Sequence, residues 1–165
     1  MIPEKEYLNI GCGNCRITTA INMDVVENEI SVPDIVGDIL DIPFEGKVFK
    51  GVICSHILEH LDKNNHRKAL SEMRRVLKDD GSAYIEVPDL EQFMRNYLEN
   101  YLGSKDYWYN GVYGRTLYPS DRHLCGFNRQ YLTDLLFNCG FGNLKWHDSP
   151  RNIASLCVVA HKREV

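Results

Sequence analysis

The sequence predicts one doubly wound α/β domain, with a mostly parallel sheet and an antiparallel closing strand. Three observations carry this prediction: short apolar segments of strand length recur, segments of helical periodicity lie between several of them, and the first apolar segment ends in Gly-x-Gly. With 165 residues, the chain has room for one such domain and not for two ordinary ones. We therefore expect residues 1–165 to form a single domain.

Four short segments have the composition of buried parallel strands, because they are apolar and rich in β-branched or aromatic residues. They are residues 7–11, 20–26, 51–55 and 82–87. Two later segments, 144–147 and 155–161, have the same character and are predicted to close the sheet.

Three segments show the apolar spacing of amphipathic helices. The clearest is 66–78, which lies between two predicted strands and is expected to end at Asp79-Asp80-Gly81. The others are 90–102 and 130–139, the last of them stopped by Gly140.

The connection between the first two strands is too short for the usual helix. Only seven residues, 14–20, separate the Gly-x-Gly turn from the second strand, whereas a parallel crossover takes about ten to twelve residues. We expect the first crossover helix to be reduced or absent.

Residues 103–126 have no clear period and contain several aromatic residues among glycines, namely Tyr107, Trp108, Tyr109, Tyr113 and Tyr118. A long aromatic loop in a compact domain is typically a lid, a binding loop or an interface. We predict that this segment lines an acceptor pocket or forms a homodimer contact, and the sequence favours neither.

Composition narrows the possible partners and the compartment. The net charge of −4 makes nucleic acid an improbable partner, because no large basic field is present. No apolar run approaches the roughly 20 residues of a membrane span, and the N-terminus has no signal pattern, so we expect a cytoplasmic protein. Cys54 and Cys157 lie in strand-like runs and are predicted to be core residues in a reducing compartment.

The first predicted strand leads into Gly11-Cys12-Gly13, and Asp24 lies in the second strand eleven residues after Gly13. Glycine allows a backbone to approach a ligand closely, because it has no Cβ. An acidic residue at the end of a second strand is the usual partner of ribose hydroxyls at such a turn. The Gly-x-Gly motif alone is weak evidence for a ligand site. It gains value because Gly37-Asp38 and Ser55-His56 follow it in order along the chain.

In this order and spacing, the motifs resemble those of the class I S-adenosylmethionine-dependent methyltransferases, a family with a Rossmann-like fold, and particularly a small, trimmed subgroup. The resemblance covers nearly the whole chain. Residues 8–13 resemble the family's first motif, and Asp24 falls at its ribose-binding acid. Asp38 falls where the family accepts a hydrogen bond from the adenine amino group, and the segment from Ser55 falls beneath the methionine end of the cofactor.

The resemblance implies S-adenosylmethionine as the cofactor and a set of binding residues in these segments. They are Asn9, Gly11, Cys12, Gly13, Asp24, Val25, Gly37, Asp38, Ile39, Ser55 and His56. Two positions depart from the family pattern, since Asn9 stands where an acid is common and Cys15 where a third glycine is common.

Methyl transfer from a sulfonium is an in-line displacement, so much of the catalysis can come from positioning. A base is needed only where the acceptor must lose a proton, and the candidates are Asp89 and His123. Each has a structural alternative, because Asp89 can cap a helix and His123 can bond to the backbone in its loop. The acidic charge and aromatic loop favour a small-molecule or sugar-like acceptor.

Other functions remain as alternatives. A methyltransferase-like fold that has lost catalysis would serve as a binding or scaffold subunit. The run from His56 to His60 matches the H-x-x-E-H pattern of a zinc hydrolase family, although we predict no metal site. Cys12 and Cys15 form a C-x-x-C, which can be a redox pair.

Overall fold

The computed structural model describes residues 5–27, 32–99, 105–117, 121–150 and 154–163. Within these residues the chain forms a seven-stranded sheet in the order β3-β2-β1-β4-β5-β7-β6. The strands are β1 (Tyr7–Ile10), β2 (Ala20–Asp24), β3 (Ile35–Val36), β4 (Phe49–Ser55), β5 (Leu77–Pro88), β6 (Phe141–His147) and β7 (Ser155–Lys162). Five strands are parallel, and β7 runs antiparallel to both β5 and β6. The predicted mixed sheet with an antiparallel closing strand is confirmed.

In the described part of the chain, four α-helices accompany the sheet: α1 (His66–Val76), α2 (Leu90–Leu98), α3 (Lys105–Tyr113) and α4 (Arg129–Asn138). Two single turns of 3₁₀-helix, Leu58–His60 and Lys63–Asn65, lie between β4 and α1. Residues 11–19, which join β1 to β2, contain no helix, so the predicted loss of the first crossover helix is confirmed.

The core lies between the sheet and its helices. On α1, the residues Ala69, Leu70, Met73 and Val76 are fully buried, and α4 contributes Leu132, Leu135 and Leu136. Cys54 and Cys157 are buried free thiols, as predicted. Among the described residues, no helix has the length and apolarity that a membrane span requires.

Two expectations about elements were wrong. The segment 103–126 is not wholly a loop, because Lys105–Tyr113 forms α3. Its Gly111 lies against α2, where an added Cβ would stand 2.2 Å from Phe93 Cε1. Tertiary packing therefore supports a helix that periodicity did not reveal.

The end of α1 also differs from its prediction. The helix stops at Val76, and Leu77 is already extended, so Asp79-Asp80-Gly81 lies within β5 instead of ending the helix. Pairing of Phe49 with Leu77 lengthens β5 at its N-terminal end. The two-residue strand β3 was absent from the sequence prediction, because it is too short to show alternation.

Candidate cofactor and active site

A sharp turn follows β1 at the carboxyl edge of the sheet. Gly11 and Gly13 both have left-handed backbone conformations, with φ of 63° and 45°, which glycine adopts without steric cost. Gly11 also lies against the segment after β4, since an added Cβ would stand 2.0 Å from Ile57 Cδ1. The turn after β1 and the segment after β4 are therefore packed against each other.

A buried amide network takes the place of the missing crossover helix. The Asn9 side chain donates to Asn22 Oδ1 and to the Cys15 carbonyl, each at 3.0 Å. Asn22 is 1% exposed, accepts from the Ile17 amide at 2.8 Å and donates to Asp34 Oδ2 at 3.0 Å. We call Asn9, Asn22 and Asp34 the amide network, and it fixes residues 11–19 on the edge of the sheet.

Asp34 carries the only charge of that network. Its carboxylate accepts from the Asn22 amide at 2.8 Å and pairs with Arg16. Hydrogen bonds from the Asn22 backbone amide, aided by its side chain and by Arg16, lower the pKa of Asp34 to about 2. Sequence reasoning missed Asn22 and Asp34, because a polar residue inside a strand and an acid beyond its end carry no motif.

Asp24 ends β2 beside the glycine turn. Its Oδ2 accepts from the Gly13 amide at 2.8 Å, and its Oδ1 accepts from the Val26 amide at 3.3 Å. Val25 is 61% exposed, so an apolar surface lies next to the carboxylate. This arrangement suits a ligand with a polar sugar and a flat apolar base.

Gly37, Asp38 and Ile39 follow β3 at the same edge. The Gly37 amide donates to the Asp24 carbonyl at 2.8 Å, and an added Cβ on Gly37 would stand 2.9 Å from Met23 Sδ. Asp38 Oδ1 accepts from the Leu40 amide at 2.8 Å, as a turn residue does. Ile39 is 6% exposed and belongs to the core, so its backbone is the part that can face a ligand.

A second polar network follows β4. Ser55 Oγ donates to Glu86 Oε2 at 2.8 Å, and His56 adopts a left-handed φ of 57°. The His56 ring lies between two buried carboxylates, with Nδ1 3.0 Å from Glu59 Oε1 and Nε2 3.4 Å from Glu86 Oε1. We call Ser55, His56, Glu59 and Glu86 the carboxylate network.

The turn that carries Glu59 is anchored from beneath by His66. That residue is fully buried on α1, and its Nε2 donates to the Leu58 carbonyl at 2.9 Å. Burial is the main cause that lowers the pKa of His66, whereas the bond to the Leu58 carbonyl acts in the opposite direction. Sequence reasoning missed this anchor, because His66 stands at the start of α1 with no motif around it.

The two candidate bases lie in different surroundings. Asp89 caps α2 by accepting from the Gln92 amide at 3.2 Å, and it borders an open cavity of about 710 Å³ with Arg95, Arg129 and Trp146. His123 is not among the residues that line this cavity. Its Nδ1 lies 3.1 Å from the Gly111 carbonyl, and burial is the main cause that lowers the pKa of His123.

The H-x-x-E-H run forms no long helix. Glu59 and His60 belong to a single 3₁₀ turn, and His56 is directed to carboxylates while the ring of His60 packs edge-on against His123 with 5.0 Å between centroids. Of the C-x-x-C pair, Cys12 is buried and Cys15 is exposed. No helix follows them in residues 13–19, although the redox motif requires one.

Residues 8–85, from β1 to β5, match the family model described as a methyltransferase domain. This segment of the chain is therefore similar to a methyltransferase domain. The chain's mostly parallel sheet with the antiparallel β7 matches the Rossmann-like methyltransferase fold of the solved structures that it resembles.

Three proteins are similar to this chain in sequence or in fold. The chain is 33% identical over 95 residues to a candidate methyltransferase from Encephalitozoon cuniculi, and the match covers 51% of the chain and 45% of that protein. It superimposes on a SAM-dependent methyltransferase from Methanosarcina mazei with a TM-score of 0.67 and 17% identity, covering 99% and 95% of the two chains. A Burkholderia thailandensis 1,6-didemethyltoxoflavin-N1-methyltransferase, solved with 1,6-didemethyltoxoflavin and S-adenosylhomocysteine, gives a TM-score of 0.63 and 17% identity, covering 96% and 71%.

The curated relatives are longer than the region they share with this chain. The matched segments span 28% to 45% of their lengths. The structural likenesses, at 17% identity, show the fold.

Proposed function

We propose that this protein is an S-adenosylmethionine-dependent methyltransferase that moves a methyl group to a small-molecule or sugar-like acceptor. The observation that carries the proposal is the left-handed Gly11–Gly13 turn with Asp24 bonded to it, within the segment that matches the methyltransferase domain. The S-adenosylhomocysteine bound to the Burkholderia neighbour supports the choice of cofactor.

In this proposal the cofactor lies across the carboxyl ends of β1, β2 and β4. Asp24 accepts from the ribose hydroxyls, the exposed Val25 faces the adenine, and Asp38 accepts from its amino group. The backbone around Gly11, Cys12, Gly13, Gly37 and Ile39 lines the site, Asn9 fixes the turn from beneath, and Ser55 and His56 lie at the methionine end.

The acceptor is proposed to lie on the side of α3. Tyr109 and Tyr113 are more than half exposed, and their ring centroids are 5.0 Å apart. The Tyr113 carbonyl accepts from the His123 amide at 3.1 Å, which ties α3 to the loop of a candidate base. The side chains of Tyr107 and Trp108 and the whole of Tyr118 lie outside the described residues.

A homodimer through the same aromatic face is the alternative use of Tyr109 and Tyr113. Light scattering distinguishes the two, because a dimer that dissociates in a Tyr109→Ser, Tyr113→Ser double variant would assign this face to self-association. We retain Asp89 and His123 as the two candidates for an acceptor-side base, which is needed only where the acceptor must lose a proton. The six free cysteines support a cytoplasmic location, and the acidic net charge supports an acceptor other than nucleic acid.

Calorimetry with S-adenosylhomocysteine tests the proposal. We expect Asp24→Ala and Asp38→Ala each to weaken binding by about 1–3 kcal/mol, because each removes a charge-assisted hydrogen bond. Asp80→Ala is the matched control, since Asp80 is exposed near the amino end of β5 at the opposite edge of the sheet. Unchanged affinity in a folded Asp24→Ala protein would refute that assignment.

Thermal unfolding separates the enzyme from the scaffold alternative. A ligand at 100 times its dissociation constant stabilises the folded state by about 2.7 kcal/mol. Wild-type protein that shows no shift at millimolar S-adenosylhomocysteine would favour the non-catalytic scaffold.

A further inference from the structure

We infer that Glu59, His60 and His123 form a binding site for one divalent transition-metal ion beside the proposed methyl-transfer site. One ligand atom from each of these residues lies within 4.8 Å of the others. Two imidazoles and one carboxylate are a donor set that suits Mn²⁺, Fe²⁺, Co²⁺ or Zn²⁺, whereas Ca²⁺ and Mg²⁺ prefer oxygen donors. The proposal replaces the expectation of no metal site, and it differs from the His56–His60 pair of the hydrolase pattern.

The strongest observation is an unsatisfied buried carboxylate oxygen. Glu59 is 1% exposed, and its Oε1 is held by His56 at 3.0 Å. Its Oε2 is buried and has no hydrogen-bond partner among the described residues. A buried carboxylate oxygen without a partner is costly, and a bound cation would satisfy it.

Both imidazoles are oriented as metal-ligating histidines are. His60 Nδ1 lies 3.0 Å from the Arg122 carbonyl, and His123 Nδ1 lies 3.1 Å from the Gly111 carbonyl. Because a carbonyl only accepts, each Nδ1 carries the proton, and in the neutral ring Nε2 keeps its lone pair. A ring N–H bonded to a backbone carbonyl is the usual outer support of a histidine ligand.

The backbone holds the three residues together without a metal. The Leu124 and Cys125 amides both donate to the Glu59 carbonyl, at 2.7 and 3.2 Å. These bonds join the turn after β4 to the loop of His123, although the two segments are about sixty residues apart in the chain. The site is therefore preorganised by the fold.

The cluster lies close to the glycine turn, which suggests that the metal ion would bind the methyl acceptor. This role of the ion rests on the proposed function. Ile57 packs against Gly11 of the cofactor turn, and Glu59 and His60 follow it directly. Three protein ligands leave coordination positions open for an acceptor hydroxyl. That hydroxyl would lose its proton to solvent, and its oxygen would form the new bond to the methyl carbon as the S–CH₃ bond breaks and leaves its electron pair on sulfur.

This assignment makes His123 a ligand through Nε2 instead of a free base. It also predicts that metal binding does not require the cofactor. The site can therefore be tested on the protein alone, separately from methyl transfer.

The test uses untagged full-length protein that has been treated with a chelator and dialysed. Calorimetry with Mn²⁺ and Zn²⁺, and visible spectra with Co²⁺, are expected to show one site per chain. We expect metal binding to weaken by about 100-fold or more in each of three variants, Glu59→Gln, His60→Ala and His123→Ala, because each loses one ligand of the ion. Gln is used at position 59 because it keeps the shape of the side chain and removes the ligating carboxylate oxygen. His147→Ala is the matched control, since His147 is exposed on β6, and it is expected to bind as wild type does.

S-adenosylhomocysteine affinity is measured on the same samples. The site is supported if the three variants lose metal binding and keep their affinity for S-adenosylhomocysteine. If the wild-type protein binds metal but not S-adenosylhomocysteine, the metal site is supported and the proposed cofactor is refuted. No binding of any of the three ions by wild-type protein would overturn the inference. Binding at full affinity in Glu59→Gln, or equal loss in His147→Ala, would overturn it as well.

Discussion

The amide network after β1 and the carboxylate network after β4 lie at the same edge of the sheet but differ in how their polar groups are satisfied. In the first, Asn22 is bonded at both ends, and its partners tie residues 11–19 to the strands. In the second, Glu59 is equally buried but leaves Oε2 without a partner among the described residues. A saturated network stabilises a backbone, whereas an unsaturated one keeps atoms available for a ligand.

The largest expected effect comes from comparing Asn22 of the amide network with His60, which follows Glu59 in the turn after β4. Asn22→Ala should lower the free energy of unfolding by about 3–4 kcal/mol, because it leaves the Ile17 amide and the Asn9 side chain buried without their acceptor. His60→Ala should cost at most about 1 kcal/mol, since it removes one bond to the Arg122 carbonyl.

Urea unfolding of both variants measures this difference, with Asn110→Ala on the exposed face of α3 as the control for an amide removed from the surface. Equal losses in Asn22→Ala and His60→Ala would contradict the expectation that the amide network contributes more to stability than the turn after β4.

The contact between the two regions gives the next effect. Gly11→Ala should destabilise by about 2–3 kcal/mol, because the new Cβ meets Ile57 and the residue must keep φ of 63°. Gly13→Ala is the matched variant, since Gly13 has a similar φ but no atom within 4 Å of an added Cβ. It should cost about 1 kcal/mol, from backbone strain alone.

Adding Ile57→Ala to Gly11→Ala should relieve the clash and leave the strain. A double-mutant cycle by thermal unfolding measures this coupling. Additive effects would mean that Gly11 and Ile57 do not join the two regions.

The smallest effect concerns Asp34 and depends on pH. Its pKa of about 2 lies below the ordinary value of 3.8, so its charged form stabilises the folded state. That contribution is complete above about pH 4 and is lost as the pH falls through 2. With allowance for partial exposure, we expect Asp34→Ala to cost about 1–2 kcal/mol at pH 7.

The cost should shrink between pH 4 and pH 2, when it is measured by chemical unfolding across that range. Asp80→Ala, on the exposed part of β5, serves as the control. A cost for Asp34→Ala that is constant with pH would contradict the role of its charge.

Much of the structure around the glycine turn was predictable from local sequence. The first two apolar segments, the Gly-x-Gly turn and the short β1–β2 connection lie within the first 26 residues, and each depends on neighbours in the chain. The helix α3 was not predictable, because its stability comes from packing of Gly111 on Phe93 of α2. The role of Asn22 was also hidden, because the alternation that identifies a strand says nothing about its buried polar partners.

The sequence by itself determined the class of fold, the succession of most strands along the chain and the position of the glycine turn. Periodicity and backbone conformation are local properties of the chain. The tertiary structure alone decided that His123 lies near Glu59 and His60. Loop 121–127 is about sixty residues from Glu59 in the chain, and only folding brings its amides to the Glu59 carbonyl. It likewise decided which polar atoms are satisfied. Burial and hydrogen bonding depend on what folding brings together, and no spacing in the sequence records that.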